Sequence, residues 1–139
     1  MSTRTAVVID DEVDLTTFLS SILEEHDFSV RTANDAVTGE KLILDSPPDI
    51  ILIDLMMPGR TGIQLFTKLR ANDATRDIPM VMVTGIKEQL GIDWGEIVDR
   101  YRTRKPDGFV EKPIDPDRLM MVVDGVLSGG ATDGEVLHG

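Results

Sequence analysis

The chain contains no cysteine. That excludes disulfide staples and thiolate metal sites outright and suits a reducing compartment. Basic residues are scarce: 14 Lys and Arg stand against 25 Asp and Glu, for a formal net charge of −11. A surface of that sign repels phosphate backbones, so no direct nucleic-acid contact is expected. No apolar run approaches the roughly 18 residues that would span a bilayer. The N-terminal apolar stretch runs at once into acid, which is too short for the hydrophobic region of a signal peptide. No membrane contact is expected, and the chain reads as soluble and cytoplasmic. Its 139 residues fit one domain, a size that buries roughly 65–70% of the surface its unfolded form exposes.

What is present is an alternation of short apolar runs and amphipathic stretches. Strands are expected at Thr5–Asp10, Phe28–Thr32, Asp49–Asp54, Ile78–Thr84 and Gly108–Glu111. Between them lie stripes at helical spacing. The first is Leu15, Phe18, Leu19, Ile22 and Leu23. The second is Ala36, Gly39 and Ile43, within a helix expected over Asp35–Leu44 and ended by Pro47 and Pro48. The third is Gly62, Leu65, Phe66 and Leu69, after a turn at Pro58-Gly59. The last is Leu119, Val122, Val123, Val126 and Leu127. Continuous apolar strands separated by helices indicate a parallel, doubly wound α/β sheet of five strands with helices on both faces. In such a sheet function collects at the carboxyl ends of the strands.

Those ends carry the polar residues. The first strand closes on Asp10 and Asp11, with Glu12 next. The third closes on Asp54, the fourth on Thr84-Gly85, and the fifth runs into Lys112-Pro113. An acid after a strand is often the N-cap of the next helix, a reading that suits Glu12 and in part Asp11. It does not suit Asp54, since the next helix begins only beyond Pro58-Gly59. Asp10, Asp11 and Asp54 together crowd like charges, each disfavouring ionisation of the others. A hard cation such as Mg²⁺, which takes oxygen ligands, or the ammonium of Lys112 relieves that. A carboxylate beside Mg²⁺ is also suited to accept a phosphoryl group. The transition state spreads charge over three equatorial oxygens, which the metal, Lys112 and the Thr84 hydroxyl are suited to meet.

With these residues in order, the sequence resembles the receiver domain of two-component response regulators. The resemblance covers about residues 4–128. It rests on Asp10-Asp11 after VVI, Asp54 in ILIDLMMPGRTG, Thr84-Gly85 after MVMV, and Lys112-Pro113 after GFVE. It implies a flavodoxin-like fold and a phospho-acceptor signalling domain, which assists only its own phosphorylation and dephosphorylation and is not an enzyme acting on other substrates. Asp54 would take the phosphoryl group from a phosphohistidine of a sensor histidine kinase or phosphotransfer protein. Asp11, Asp54 and the backbone carbonyl of Met56 would ligate Mg²⁺ (or Mn²⁺), with Asp10 acting through water. Thr84 and Lys112 would contact the phosphoryl group, and Phe109 would be the switch aromatic through which partner binding changes. The resemblance also implies a cis Lys112–Pro113 bond. It names no downstream partner or output domain. Residues 129–139 read as a flexible tail or a truncated linker.

Three features stand apart. The interval from Thr84 to Lys112 exceeds the family's by roughly one to two helical turns. An irregular stretch is expected over Ile86–Ile92, then a helix from about Trp94 to Arg102, with Asp93 as N-cap and Glu96 three residues on. Of two readings, a passive loop insertion or the mark of a distinct partner, the extra length reads as the passive insertion. His26 and His138 have no metal-ligand neighbours at useful spacing. Met56 lies two residues after the acceptor, where its side chain would hinder attacking water. An aspartyl phosphatase would need an acid at that same position as proton donor, and it is Met. A dinucleotide binder would need glycines after the first strand, where the sequence reads DDEVD. A third alternative, an interaction module that no longer uses phosphate, would not need this full set of polar residues.

Overall fold

In the computed structural model, residues 3–55, 57–58, 61–85 and 92–129 are described. The elements follow the expected alternation: β1 (Arg4–Ile9), α1 (Val13–Glu25), β2 (Phe28–Ala33), α2 (Ala36–Asp45), β3 (Ile50–Asp54), α3 (Thr61–Ala71), β4 (Met80–Thr84), α4 (Trp94–Tyr101), β5 (Gly108–Glu111) and α5 (Pro116–Leu127). The five strands form one sheet in the order β2-β1-β3-β4-β5, and every neighbouring pair is parallel. Chain direction across the sheet reverses between β1 and β3, which puts a crevice at their carboxyl ends.

Every residue of β3 and of β4 is buried, as expected for central strands covered on both faces. One core layer joins Val8, Leu52, Val81 and Val83 to Leu19, Ile22 and Leu23 of α1 and Leu119, Val122 and Val123 of α5. The opposite layer joins Ile9, Ile51, Ile53 and Met82 to Ile43 of α2 and Leu65, Phe66 and Leu69 of α3. Gly108 lets α5 come close, because a Cβ there would stand 2.8 Å from Val122 Cγ1.

Local signals set the helix starts. The Asp35 carboxylate accepts the Thr38 N–H at 2.7 Å, Asp93 accepts that of Glu96 at 3.0 Å, and Asp115 accepts that of Asp117 at 3.1 Å. These bonds satisfy donors that the first turn leaves open. The helix expected from Trp94 is present and ends one residue early, with Arg102 in the left-handed conformation at φ 51°.

The structure departs from the expected pattern in α1 and ahead of β4, and β1 runs over Arg4–Ile9, one residue earlier than expected. Phe18 falls on the stripe of α1 expected to face inward but is 43% exposed. Thr16 is buried instead; its hydroxyl donates to the Val13 carbonyl at 2.9 Å and accepts from Asn34 Nδ2 at 3.3 Å. Ile78 and Pro79 lie outside β4. Ile78 N–H bonds the Thr75 carbonyl at 3.0 Å, and the Ile78 carbonyl accepts from Arg70 at 3.1 Å. The chain there follows directly on a turn whose end is clamped from α3. The expectations on Met56, Gly59, residues 86–91, His138 and residues 130–139 lie outside the described residues.

Candidate functional site

Asp10 is the first residue beyond β1, and its backbone N–H extends the sheet by bonding the Ala33 carbonyl at 3.1 Å. Asn34 Nδ2 donates to the Asp10 carbonyl at 2.8 Å. The Asp10 side chain is 1% exposed. Its Oδ1 accepts the Glu12 N–H at 2.9 Å, which ties the carboxylate to the entry of α1. Glu12 occupies the N-cap position of that helix but makes no side-chain capping bond. Its capping role, expected from position alone, is therefore corrected.

Asp54 closes β3 and is 2% exposed. Its backbone is held from two sides. On one, β4 pairs with it, Asp54 opposite Val83. On the other, α3 begins so close that a Cβ on Gly62 would fall 2.1 Å from the Asp54 carbonyl oxygen and 3.0 Å from that of Leu55. Only a glycine fits that approach.

Asp10, Asp11 and Asp54 each offer a carboxylate oxygen, and these oxygens lie within 4.8 Å of one another. Lys112, just past β5, reaches the same place. Its Nζ is 3.3 Å from Asp54 Oδ1, 3.7 Å from Asp10 Oδ2 and 3.8 Å from Glu12 Oε1. The backbone delivers it there: Lys112 N–H bonds the Thr84 carbonyl at 2.8 Å, and the Lys112–Pro113 peptide is cis. The Thr84 side chain is buried at the end of β4, and its hydroxyl donates to the Gly85 carbonyl at 3.0 Å.

The charges respond to this crowding. Burial, the largest influence, pushes the Asp10 carboxyl up to about 6; the Glu12 N–H opposes it, and the charge on Asp54 adds to the rise. Burial likewise pulls down on Lys112, but Asp54, Asp10 and Glu12 together outweigh it and raise its pKa. One buried oxygen, Asp10 Oδ2, has no hydrogen-bond partner among the described residues. A buried carboxylate oxygen in that condition, beside two more carboxylates, is a donor set made only of hard oxygens. That set suits a hard divalent cation such as Mg²⁺ or Mn²⁺.

The structure thus brings together four residues singled out from the sequence, Asp10, Asp11, Asp54 and Lys112, and sets Thr84 on the adjoining strand. Phe109 lies below the rim, paired with Met82. Three supporting residues were not anticipated: Asn34 under Asp10, Gly62 as a spacer against Asp54, and Trp94 against Phe109. Gly62 and Trp94 left a local trace, each as the residue that opens an expected helical segment, and Asn34 left none.

Strand order and site together define a flavodoxin-like α/β protein with an acidic, cation-compatible pocket at the switch point of its sheet. A family model for the response regulator receiver domain matches residues 6–124, and the chain belongs to that family. Among curated relatives, the phosphate regulon transcriptional regulatory protein PhoB of Escherichia coli (strain K12) is 32% identical over 126 residues. That match covers 89% of this chain and 52% of PhoB, so the chain spans about half the length of that relative. Protein PilH of Pseudomonas aeruginosa is 29% identical over 123 residues, covering 88% of this chain and 97% of PilH. The chemotaxis response regulator CheY4 of Vibrio cholerae superposes with a TM-score of 0.78 at 22% identity, over 90% of this chain and 99% of CheY4, a likeness of fold. This chain is therefore a receiver domain of two-component signalling. No helix among the described residues is long and apolar enough to cross a membrane.

Proposed function

We propose that Asp54 accepts a phosphoryl group from a phosphohistidine of a sensor kinase or phosphotransfer protein, and that Thr84 and Phe109 convert this event into altered partner binding. The observation that carries the reading is one cluster: three carboxylate oxygens within 4.8 Å of one another, with an ammonium 3.3 Å from Asp54 Oδ1. Asp11, Asp54 and the Met56 carbonyl would hold Mg²⁺ (or Mn²⁺), with Asp10 acting through water. The bound cation would neutralise charge on the transferring group.

The protein's own groups account for the rest. An oxygen of Asp54 attacks phosphorus in line. The O–P bond forms as the N–P bond to the donor imidazole breaks, and the imidazole leaves with the bonding pair. Because Asp54 is buried and bound at both flanks of its backbone, its carboxylate is already oriented, which removes much of the entropic cost of reaction. Lys112 first pairs with Asp54 and then, when that charge passes to the phosphoryl oxygens, pairs with them. The Thr84 hydroxyl turns from the Gly85 carbonyl to a phosphoryl oxygen, and Phe109 turns into the space behind it. This is a local charge event that biases a two-state element.

Incubation with acetyl phosphate and Mg²⁺ tests the reading. The intact mass is expected to rise by one phosphoryl group, and Asp54→Asn is expected to show no rise. Unmodified wild-type protein, or equal modification of the variant, sinks the assignment.

A further inference from the structure

Trp94 is the chain's only tryptophan and the first residue of α4. Its ring stands edge-on to Phe66 of α3, with centroids 5.6 Å apart and planes at 80°, and to Phe109 of β5, 5.7 Å apart and at 63°. Edge-to-face pairs attract beyond the area they bury. No residue of α4 is fully buried; Trp94, Ile97 and Val98 are half-buried, and Tyr101 at its end is 52% exposed. A cavity of about 260 Å³ lies between it and α3, bounded by Ile63, Gln64, Ile97 and Arg100. So short a helix has little stability of its own, and the two ring contacts of Trp94 are part of what seats it on the body. Among the described residues the buried indole Nε1 finds no hydrogen-bond partner. Among these residues the seat is held by ring packing, at the cost of an unsatisfied donor.

Phe109 is thus one of the two rings that seat Trp94. It sits in the same core layer as Met82, Phe66 and Trp94, and its strand pairs with β4 so that Glu111 meets Thr84 two residues further along. We propose that Trp94 is the positioning residue that ties α4 to the switch. Its indole holds Phe109 in the resting position, and a turn of Phe109 towards Thr84 withdraws one of the two rings on which α4 rests. The inference depends on the phosphoryl-switch reading above and adds to it the part that moves. The lengthened segment between Thr84 and Lys112 is then no passive insertion, because it supplies the helix that reports the state of Asp54. Coupling of this kind is reciprocal. If phosphorylation loosens the Trp94–Phe109 contact, loosening that contact favours phosphorylation.

Two measurements on the full chain test this. In the first, acetyl phosphate and Mg²⁺ are added, and phosphoryl mass and Trp94 emission are followed in the same samples. Emission is expected to change in step with the mass and to stay constant in Asp54→Asn. Phosphorylated protein with unaltered emission overturns the role of Trp94 while leaving the switch reading intact, whereas absence of phosphoryl mass overturns both. In the second, beryllofluoride with Mg²⁺ serves as an equilibrium stand-in for the phosphoryl group, and Trp94→Ala is expected to bind it roughly two- to tenfold more tightly than wild type, the range one aromatic pair supplies. Trp94→Phe, which keeps a ring, is expected to return towards the wild-type affinity. A purely structural tryptophan would lower the urea midpoint of both variants without tightening either affinity, and an unchanged or weaker affinity in Trp94→Ala overturns the proposal.

Discussion

Asp10 shows how one side chain links stability to the charge of the site. Its carboxyl ordinarily titrates near 3.8 and is pushed up to about 6 in the fold. Between those values the folded state holds a proton that the unfolded state has released, so this group's contribution to stability falls as pH rises through that window. Asp10→Asn keeps an oxygen for the Glu12 N–H and removes the titration. With metal chelated, urea unfolding at about pH 4 and about pH 6.5 is therefore expected to show the variant gaining on wild type as pH rises. A constant difference across the window contradicts the burial cause. Asp10 and Asp54 were both legible as acids at strand ends, since a parallel sheet delivers every such end to one rim. That Asp10 bonds Glu12 N–H, and so anchors α1 instead of capping it through Glu12, depends on the path of the chain after β1.

At the scale of elements, the approach of α3 to β3 is the sharpest constraint. A methyl group on Gly62 would meet the Asp54 and Leu55 backbone carbonyls, which have no rotamer to escape into. Gly62→Ala is expected to destabilise the fold by roughly 1–3 kcal/mol, the usual cost of overpacking, and to slow phosphorylation of Asp54 by shifting its strand end. Urea unfolding and the rate of phosphoryl gain measure the two effects; a variant with wild-type values for both would show that α3 yields freely. Periodicity predicted the helices well because burial on one face imposes it. It failed where a neighbouring element decides exposure: Phe18 follows the stripe of α1, yet nothing packs over it enough to bury it. It also failed at Ile78 and Pro79, which are apolar like the strand they precede but follow directly on the turn at residues 73–77, whose end Arg70 clamps.

That turn belongs to a device of the whole molecule. Arg70 of α3 is buried, and its guanidinium donates to the carbonyls of Arg76, Ile78 and Lys105 at 3.0, 3.1 and 3.2 Å and to Asp107 Oδ2 at 2.8 Å. Burial pulls its pKa down and Asp107 opposes this. Asp107 Oδ2 also accepts the Met80 N–H at 2.8 Å. One cation thereby joins α3, the entry to β4 and the entry to β5, at the end of the sheet away from the site. Arg70→Met removes the donor from four part-buried acceptors, although Asp107 is 19% exposed and keeps Arg104 at 3.5 Å, and is expected to cost roughly 1–3 kcal/mol, read by urea unfolding. A loss within experimental error would show that the acceptors find water or other donors.

By itself the sequence determined the layout: which segments are strands and helices, that the sheet is parallel, and that Asp10, Asp11, Asp54, Thr84 and Lys112 stand at strand ends. Each of these follows from short-range pattern, in which burial sets the period and the end of the period marks the rim. Tertiary structure alone decided the approach of Gly62 to Asp54, the acceptors of Arg70, the exposure of Phe18 and the seating of Trp94 on Phe109. Each of these is a distance between side chains or backbones far apart along the chain or on separate elements, set by how elements pack, and no local pattern encodes it.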